Sequence, residues 1–429
     1  MIRRIEALNF RSLKYIDQSL DDFHVLVGPN ASGKTTFMDV ISFLADIIKM
    51  GIEEAIQVRS ANYVDLTFSS LGGDIELAIE ISLPPKISKI LEARFDLIRY
   101  EIRIGLSEDT QEHSIKEERV ILLNSHLLNN ENHNQLSLFP QIRQGPISIL
   151  NKKYPGIKTK GESVLKSNQL VIRKKPEGND NFYDETYDRS GKGWLPSFKL
   201  GVKRSALANL PADETKFPAT TWLKGFLFEG VQLFVLDSLT IRRASPPGQS
   251  KKFKPDGSNL PWVINDLRKD SKLYRKWVSH VKTALPDILD IDTIERPDDR
   301  HRYLRIHYEG EILVPSWLVS DGTLRLLALT LPAYIPDFDG VYLIEEPENG
   351  LHPRAVETVF QSLSSVYNAQ IMLASHSPVV LSLLKPKDVL CFAKKEGVTD
   401  IVKGSEHPAL KDWKGETNLS ILYASGILG

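Results

Sequence analysis

Cysteine is nearly missing from this chain: there is one in 429 residues. A single thiol excludes an internal disulfide framework and a four-thiolate zinc site, and it points to a reducing compartment. Charge of one sign is also lacking. Lys plus Arg total 54 and Asp plus Glu 55, a formal net charge of -1, so the molecule as a whole is not a polybasic nucleic-acid binder, though a local patch can still be one. Long hydrophobic runs are missing too. No stretch reaches the ~18 apolar residues of a spanning helix. The opening MIRRIEALNFRSL has no apolar run of signal-peptide length. These features lead us to expect a soluble, cytoplasmic protein of two to four domains that makes no membrane contact. Heptads do not persist for four repeats, which excludes long coiled-coil arms, and no internal repeat stands out.

What is present is concentrated at the two ends. The apolar run His24–Val27 predicts a buried strand, and Gly28-Pro29-Asn30-Ala31-Ser32-Gly33-Lys34-Thr35 follows it in the phosphate-loop pattern G-x-x-x-x-G-K-[ST]. Phe37, Val40, Ile41, Leu44 and Ile48 then recur at helical spacing. The glycines let backbone approach phosphates closely, and the helix aims its free amides at anionic oxygens. Lys34 is expected to bridge the β- and γ-phosphates of ATP and Thr35 to hold Mg²⁺, with Thr36 completing the nucleotide-binding set. Near the other end, Val341–Ile344 predicts a second buried strand, which runs into Glu345-Glu346-Pro347-Glu348. Two carboxylates at the tip of a parallel strand suit a metal ligand (Glu345) and a group orienting the attacking water (Glu346); alone, they also suit a solvated acidic loop. Ala369–Ala374 predicts a third strand, ending in Ser375-His376-Ser377-Pro378. There a neutral imidazole can sense a γ-phosphate or merely cap the strand. Ser320-Asp321-Gly322 opens an apolar helical stretch, as an anion-receptive turn or an ordinary helix cap.

In this order the motifs resemble ABC-type ATPases related to RecF, SMC and recombination-repair proteins. The likeness is to prokaryotic AAA-family ATPases with the pattern SDGTLR, LLIEEPENGLHP, ASHSP, read here at Ser320–Arg325, Leu343–Pro353 and Ala374–Pro378. It extends to the opening IEALNFRSLK and to Asp256–Leu260 before a helical lobe. It implies an α/β P-loop NTPase of ABC-head type with a mixed sheet, a polar β-rich insertion and a helical signature lobe. It also implies that two heads sandwich ATP. Ser320 and Gly322 would then face a nucleotide held at Lys34 of a second subunit, Asn349, Gly350, Leu351 and His352 would cross the interface, and His376 would be the switch histidine. Asp321 and Thr323 replace the Gly and Gln of transporters, and Glu345 replaces the usual Walker B Asp. The Gln that closes the metal shell is not identifiable, Gln57 being a poor candidate. Phe10, Arg11 and Ser12 are candidate neighbours of the nucleotide.

The resemblance divides the chain into 1–105 with the phosphate loop, a polar insertion at 106–200, a helical lobe at 201–325 and a closing part at 326–429. Strands are expected at Arg119–Leu123 and Ser167–Arg173, a helix pair at 258–285 and a short helix at 418–428. Residues 122–145 are rich in Asn and Gln and read as a loop with strand fragments. Between Lys152 and Lys175 lie Lys152, Lys153, Lys158, Lys160, Lys166, Arg173, Lys174 and Lys175 against Glu162, eight charges minus one, a local +7. This is either a nucleic-acid surface or a set of lysine-protected strand edges. Arg242, Arg243, Lys251, Lys252 and Lys254 form a second cluster open to the same two readings. The residues after His376 lack the acidic pattern of the Toprim nuclease found in OLD-type relatives. The expected function is therefore a slow ATPase that forms homodimers or higher assemblies and controls a separate nuclease or toxin, as PARIS- and Septu-type defence ATPases do. The alternative is a RecF-like repair ATPase that binds DNA.

Overall fold

The computed structural model describes residues 1–107, 109–128, 139–142, 144–150, 152, 157–158, 164–165, 167–175, 178–186, 197–335, 338–410 and 419–424. Its centre is a six-stranded sheet in the order Val231–Phe234, Val341–Glu345, Gln370–Ala374, Phe23–Val27, Val389–Lys395, Val398–Lys403. All neighbours are parallel except the last pair, which is a hairpin. The runs VYLI, QIMLA and HVLV are apolar almost throughout because a parallel sheet is covered on both faces. Alternate residues serve two cores. Leu26, Leu343 and Met372 pack with Phe37, Ile41 and Leu44 of the helix Lys34–Met50. Val25, Val27, Tyr342, Ile344, Ile371 and Leu373 pack with the helices Asp321–Thr330 and Pro353–Ser364 on the other side.

The second layer is a seven-stranded antiparallel sheet. It contains Ile2–Phe10, Leu13–Ser19, Ile75–Ser82, Leu97–Leu106, His113–Leu123, Asn168–Lys174 and Asn181–Phe182. Its inner face presents Ile5, Ala7, Leu77, Ile79, Tyr100, Ile102, Val120 and Leu122 to the phosphate-loop helix. The strands expected in the polar stretch 106–200 extend this sheet rather than building one of their own, because Val120 and Leu122 continue its apolar inner row. The expected boundary at 105 falls inside the strand Leu97–Leu106.

The outer face of the same sheet is charged and partly covered. Arg99 is fully buried and ion-paired to Glu6, Glu80 at 2.8 Å and Glu101 at 2.6 Å. The segment around residue 149 crosses this face. Ile149 N donates to Glu76 Oε2 at 2.7 Å, and Lys152 Nζ pairs with Glu6 at 2.9 Å. Gln370 joins the two sheets. Its Oε1 accepts from Ile2 N at 2.8 Å, and its Nε2 donates to the carbonyls of Ile2 and Asp21 at 2.9 and 2.7 Å.

The lobe contains the expected helix pair, Leu260–Leu267 and Ser271–Ala284, the second capped by the Asp270 side chain. It also contains a three-stranded antiparallel sheet, Ile288–Glu295, Arg302–Tyr308 and Ile312–Pro315, which the sequence reading did not anticipate. The short closing helix is present as Leu419–Ala424. Among the described residues no helix is long and apolar enough to cross a membrane.

Replacing Arg99 by Leu removes the cation that three carboxylates share, with Lys152 and Arg4 remaining beside Glu6. The expected loss is about 3–5 kcal/mol of unfolding free energy, as for other broken buried ion pairs. Stranded carboxylates have folded-state pKa values above their unfolded ones, so the loss should be full at pH 8 and shrink as they protonate toward pH 5. Urea melts at the two pH values measure both effects.

Candidate functional site

The phosphate loop leaves the strand Phe23–Val27 and turns into the helix at Lys34. A Cβ on Gly28 would lie 2.3 Å from the carbonyl oxygen of Phe392, and one on Gly33 would lie 2.6 Å from Thr399 Oγ1. Gly33 also takes a φ of 105°, in the left-handed region. Both glycines are therefore required by the hairpin 389–403 that walls the loop. Thr399 Oγ1 donates to Ser32 O at 2.9 Å and fastens that wall. The helix carries no acid in its first turn, so its free amides and dipole face the cleft uncompensated. The Lys34 ammonium is buried and donates to the carbonyls of Gly28 and Pro29 at 2.7 and 2.9 Å. Burial pulls its pKa down to about 8, against the opposing pull of Glu346 and Glu345.

Sheet register brings the other groups to the same edge. Ala374 pairs with Glu345 on one side and with Leu26 on the other. Glu345 ends its strand exposed. Glu346 takes a φ of 44°, and its N–H still donates to Ala374 O at 2.8 Å, turning its carboxylate back toward the sheet edge. Asn349 Nδ2 donates to Glu346 Oε2 at 2.6 Å, and His376 Nε2 lies 4.0 Å from Glu346 Oε1. Burial and the Lys34 charge lower the pKa of His376, opposed by Glu346 and Glu348, so the ring is neutral near pH 7. One cleft of about 550 Å³ is lined by Asn30 to Thr36, Glu345, Glu346, Ala374 and His376, joined by Arg11, Ser12 and Lys394. Thr35 and Glu345 share it, so a hydroxyl and a free carboxylate are available to a magnesium ion held beside a phosphate.

Two groups of expected residues lie elsewhere. Ser320 caps the helix Asp321–Thr330, accepting from Thr323 N at 3.2 Å, and Asp321 is paired with Arg242. Neither Ser320 nor Gly322 lines the cleft. Gly322 instead backs onto the turn that follows Glu346: a Cβ there would lie 2.8 Å from Gly350 O. Phe10 is a correction. It is fully buried and stacks on Phe43 with 5.6 Å between ring centroids, so it is core, whereas Arg11 and Ser12 do line the cleft. Gln57 is exposed and does not line the cleft. On the side away from Gln370–Ala374 the Walker B strand pairs with Val231–Phe234, and the chain leaving that strand at Val235 emerges beside Glu345 without offering a Gln.

Sequence reasoning missed two residues. Lys394 reaches the cleft from a hairpin that carries no nucleotide-binding signature. Glu348 was read only as part of an acidic run. Its Oε1 accepts from Ser375 Oγ at 2.7 Å and from the N–H groups of His376 and Ser377 at 3.0 Å each. A third acid in a row of four was the available signal.

The basic stretch 152–175 is engaged at two of its described side chains. Lys152 pairs with Glu6, and buried Lys174 pairs with Asp180 at 2.8 Å. Lys153, Lys160, Lys166 and the side chain of Lys158 lie outside the described residues, as does most of the Asn- and Gln-rich segment. In the second cluster Arg242 pairs with Asp321, Lys252 with Glu229 and Lys251 with Asp266.

An SMC head solved bound to the C-terminal winged-helix domain of ScpA superposes with a TM-score of 0.52 at 15% identity, covering 94% of this chain and 97% of that one. A Pyrococcus furiosus SMC head with an extended coiled coil, bound to the C-terminal domain of ScpA, gives 0.49 at 14% identity over 94% and 95%. The SMC head of Thermotoga maritima gives 0.44 at 11% over 94% and 98%. The first of these shows the fold, an α/β P-loop head of ABC type. No curated protein matches the chain. The family described as "AAA domain, putative AbiEii toxin, Type IV TA system" matches residues 23–382, most of the sequence and each motif from the phosphate loop to His376, and the chain belongs to it.

Proposed function

We propose that this protein is an ATPase that binds Mg-ATP, closes into a head-to-head dimer and hydrolyses slowly to control a partner effector. The supporting observation is a split. Lys34, Glu345, Glu346 and His376 share one cleft, while Ser320 and Gly322 of the same chain stand outside it. A signature turn with an exposed helix start outside its own chain's cleft is suited to the nucleotide of a second copy.

The chemistry follows from the groups present. On binding, Lys34 exchanges two loop carbonyls for phosphate oxygens. Thr35 and Glu345 would hold Mg²⁺, which supplies charge neutralisation along the phosphates. Glu346, oriented by Asn349, accepts a proton from water or aligns it. Neutral His376 donates to a γ-oxygen. A nuclease or toxin as the controlled partner, in cytoplasmic antiviral defence of the OLD, PARIS or Septu kind, agrees with a family description that names a toxin–antitoxin system. The RecF-like reading draws no support from Lys152 and Lys174, whose charges are already paired.

Lys34→Ala should abolish mant-ATP binding. Glu346→Gln should keep binding, slow phosphate release by about 100-fold or more, and hold an ATP-linked dimer visible by light scattering; an unchanged release rate contradicts the role given to Glu346. Lys34 must be protonated to attract phosphate, and its pKa is about 8. Affinity for mant-ATP should therefore weaken as pH rises from 7 to 9, approaching roughly tenfold per unit above the pKa. In Glu346→Gln the midpoint should move to lower pH, because one of the charges raising the lysine pKa is gone.

A further inference from the structure

The turn after the Walker B strand touches three things at once. Asn349 Nδ2 donates to Glu346 Oε2 at 2.6 Å, and the Gly350 carbonyl abuts Gly322 of the signature helix. Between them Glu348 reaches across to the histidine loop. All three of its hydrogen bonds enter one oxygen, Oε1, from Ser375 Oγ, His376 N and Ser377 N at 2.7, 3.0 and 3.0 Å. Its other oxygen is buried and accepts from no donor among the described residues. The backbone carrying His376 is thus held by a side chain of the exposed turn Asn349–Gly350, not by its own strand alone.

We propose that Glu348 is a positioning residue that locks the His376 loop to the 346–350 turn, so that a second head seated on that turn sets the aim of the imidazole. The proposal rests on the ATPase reading above and deepens it: the site senses dimer closure through Glu348. What the geometry requires of residue 348 is reach and an acceptor, not charge. Glutamine keeps both. Aspartate keeps the charge but is one methylene short.

The test compares Glu348→Gln, Glu348→Asp and Glu348→Ala in the full-length protein. Phosphate release gives kcat and KM, mant-ATP gives Kd, and hydrogen-exchange mass spectrometry follows the amides of residues 375–377. Asp and Ala should lower kcat by about 10–100-fold, the usual cost of losing a group that orients a ligating or catalytic side chain. Their Kd should stay within about twofold of wild type, and exchange at 375–377 should speed up. Gln should stay close to wild type in all three, and it keeps the test decisive even where Ala does not fold. The proposal is overturned by an Asp variant that behaves as wild type while Gln is dead, since charge is then what matters. It is also overturned by a loss carried by Kd rather than kcat, or by unchanged exchange in Ala. Absence of phosphate release from the wild type itself would sink the ATPase reading first and take this role with it. The exchange arm would still report whether Glu348 holds the loop.

Discussion

The structure turns on the register of three parallel strands. Ala374 stands between Leu26 and Glu345, so the phosphate loop, the paired carboxylates and the histidine all leave the sheet at one edge. A slip of one residue in either pairing would carry Glu345 away from Thr35 and would also exchange the two cores, since Leu343 and Ile344 face opposite sides. The chemistry and the packing are thus fixed by the same backbone hydrogen bonds. Misregistry is penalised twice, once in buried apolar area and once in the geometry of the cleft.

Charge is arranged by the same economy of position. The cleft combines a desolvated lysine, a helix start with no acid of its own and carboxylates close enough to raise the lysine's affinity for its proton. On the far side of the antiparallel sheet the opposite solution appears. Arg99 sits among Glu6, Glu80 and Glu101 with its charge fully matched. One site leaves its cation answerable to a ligand; the other closes its charges on themselves. That contrast separates Lys34 from Arg99 more clearly than burial does.

Local patterns carried most of the cleft. Lys34, Glu345, Glu346 and His376 each follow an apolar strand, and strand ends in α/β sheets converge, so their meeting at one sheet edge was legible in the sequence. Phe10 misled because a residue beside a functional turn can still point inward, and only its stacking on Phe43 decides that. Glu348 was invisible as an individual because its partners lie about thirty residues away on another strand. The charged outer row of the antiparallel sheet was illegible for a related reason. Glu6, Glu80, Arg99 and Glu101 look like solvated strand positions until the chain near residue 149 is laid across them. Lys152 read as part of a patch for the same reason, Glu6 being remote in sequence.

The wall of the phosphate loop has a temporal meaning. Ser32 is fastened by Thr399, 367 residues downstream, and Gly28 is closed against Phe392. During synthesis the loop and its helix emerge well before the surface that shapes them. A nascent chain therefore displays the phosphate-loop sequence without a finished cleft until the hairpin 389–403 has been made. The final shape of the loop arrives with that hairpin, not with the loop's own residues.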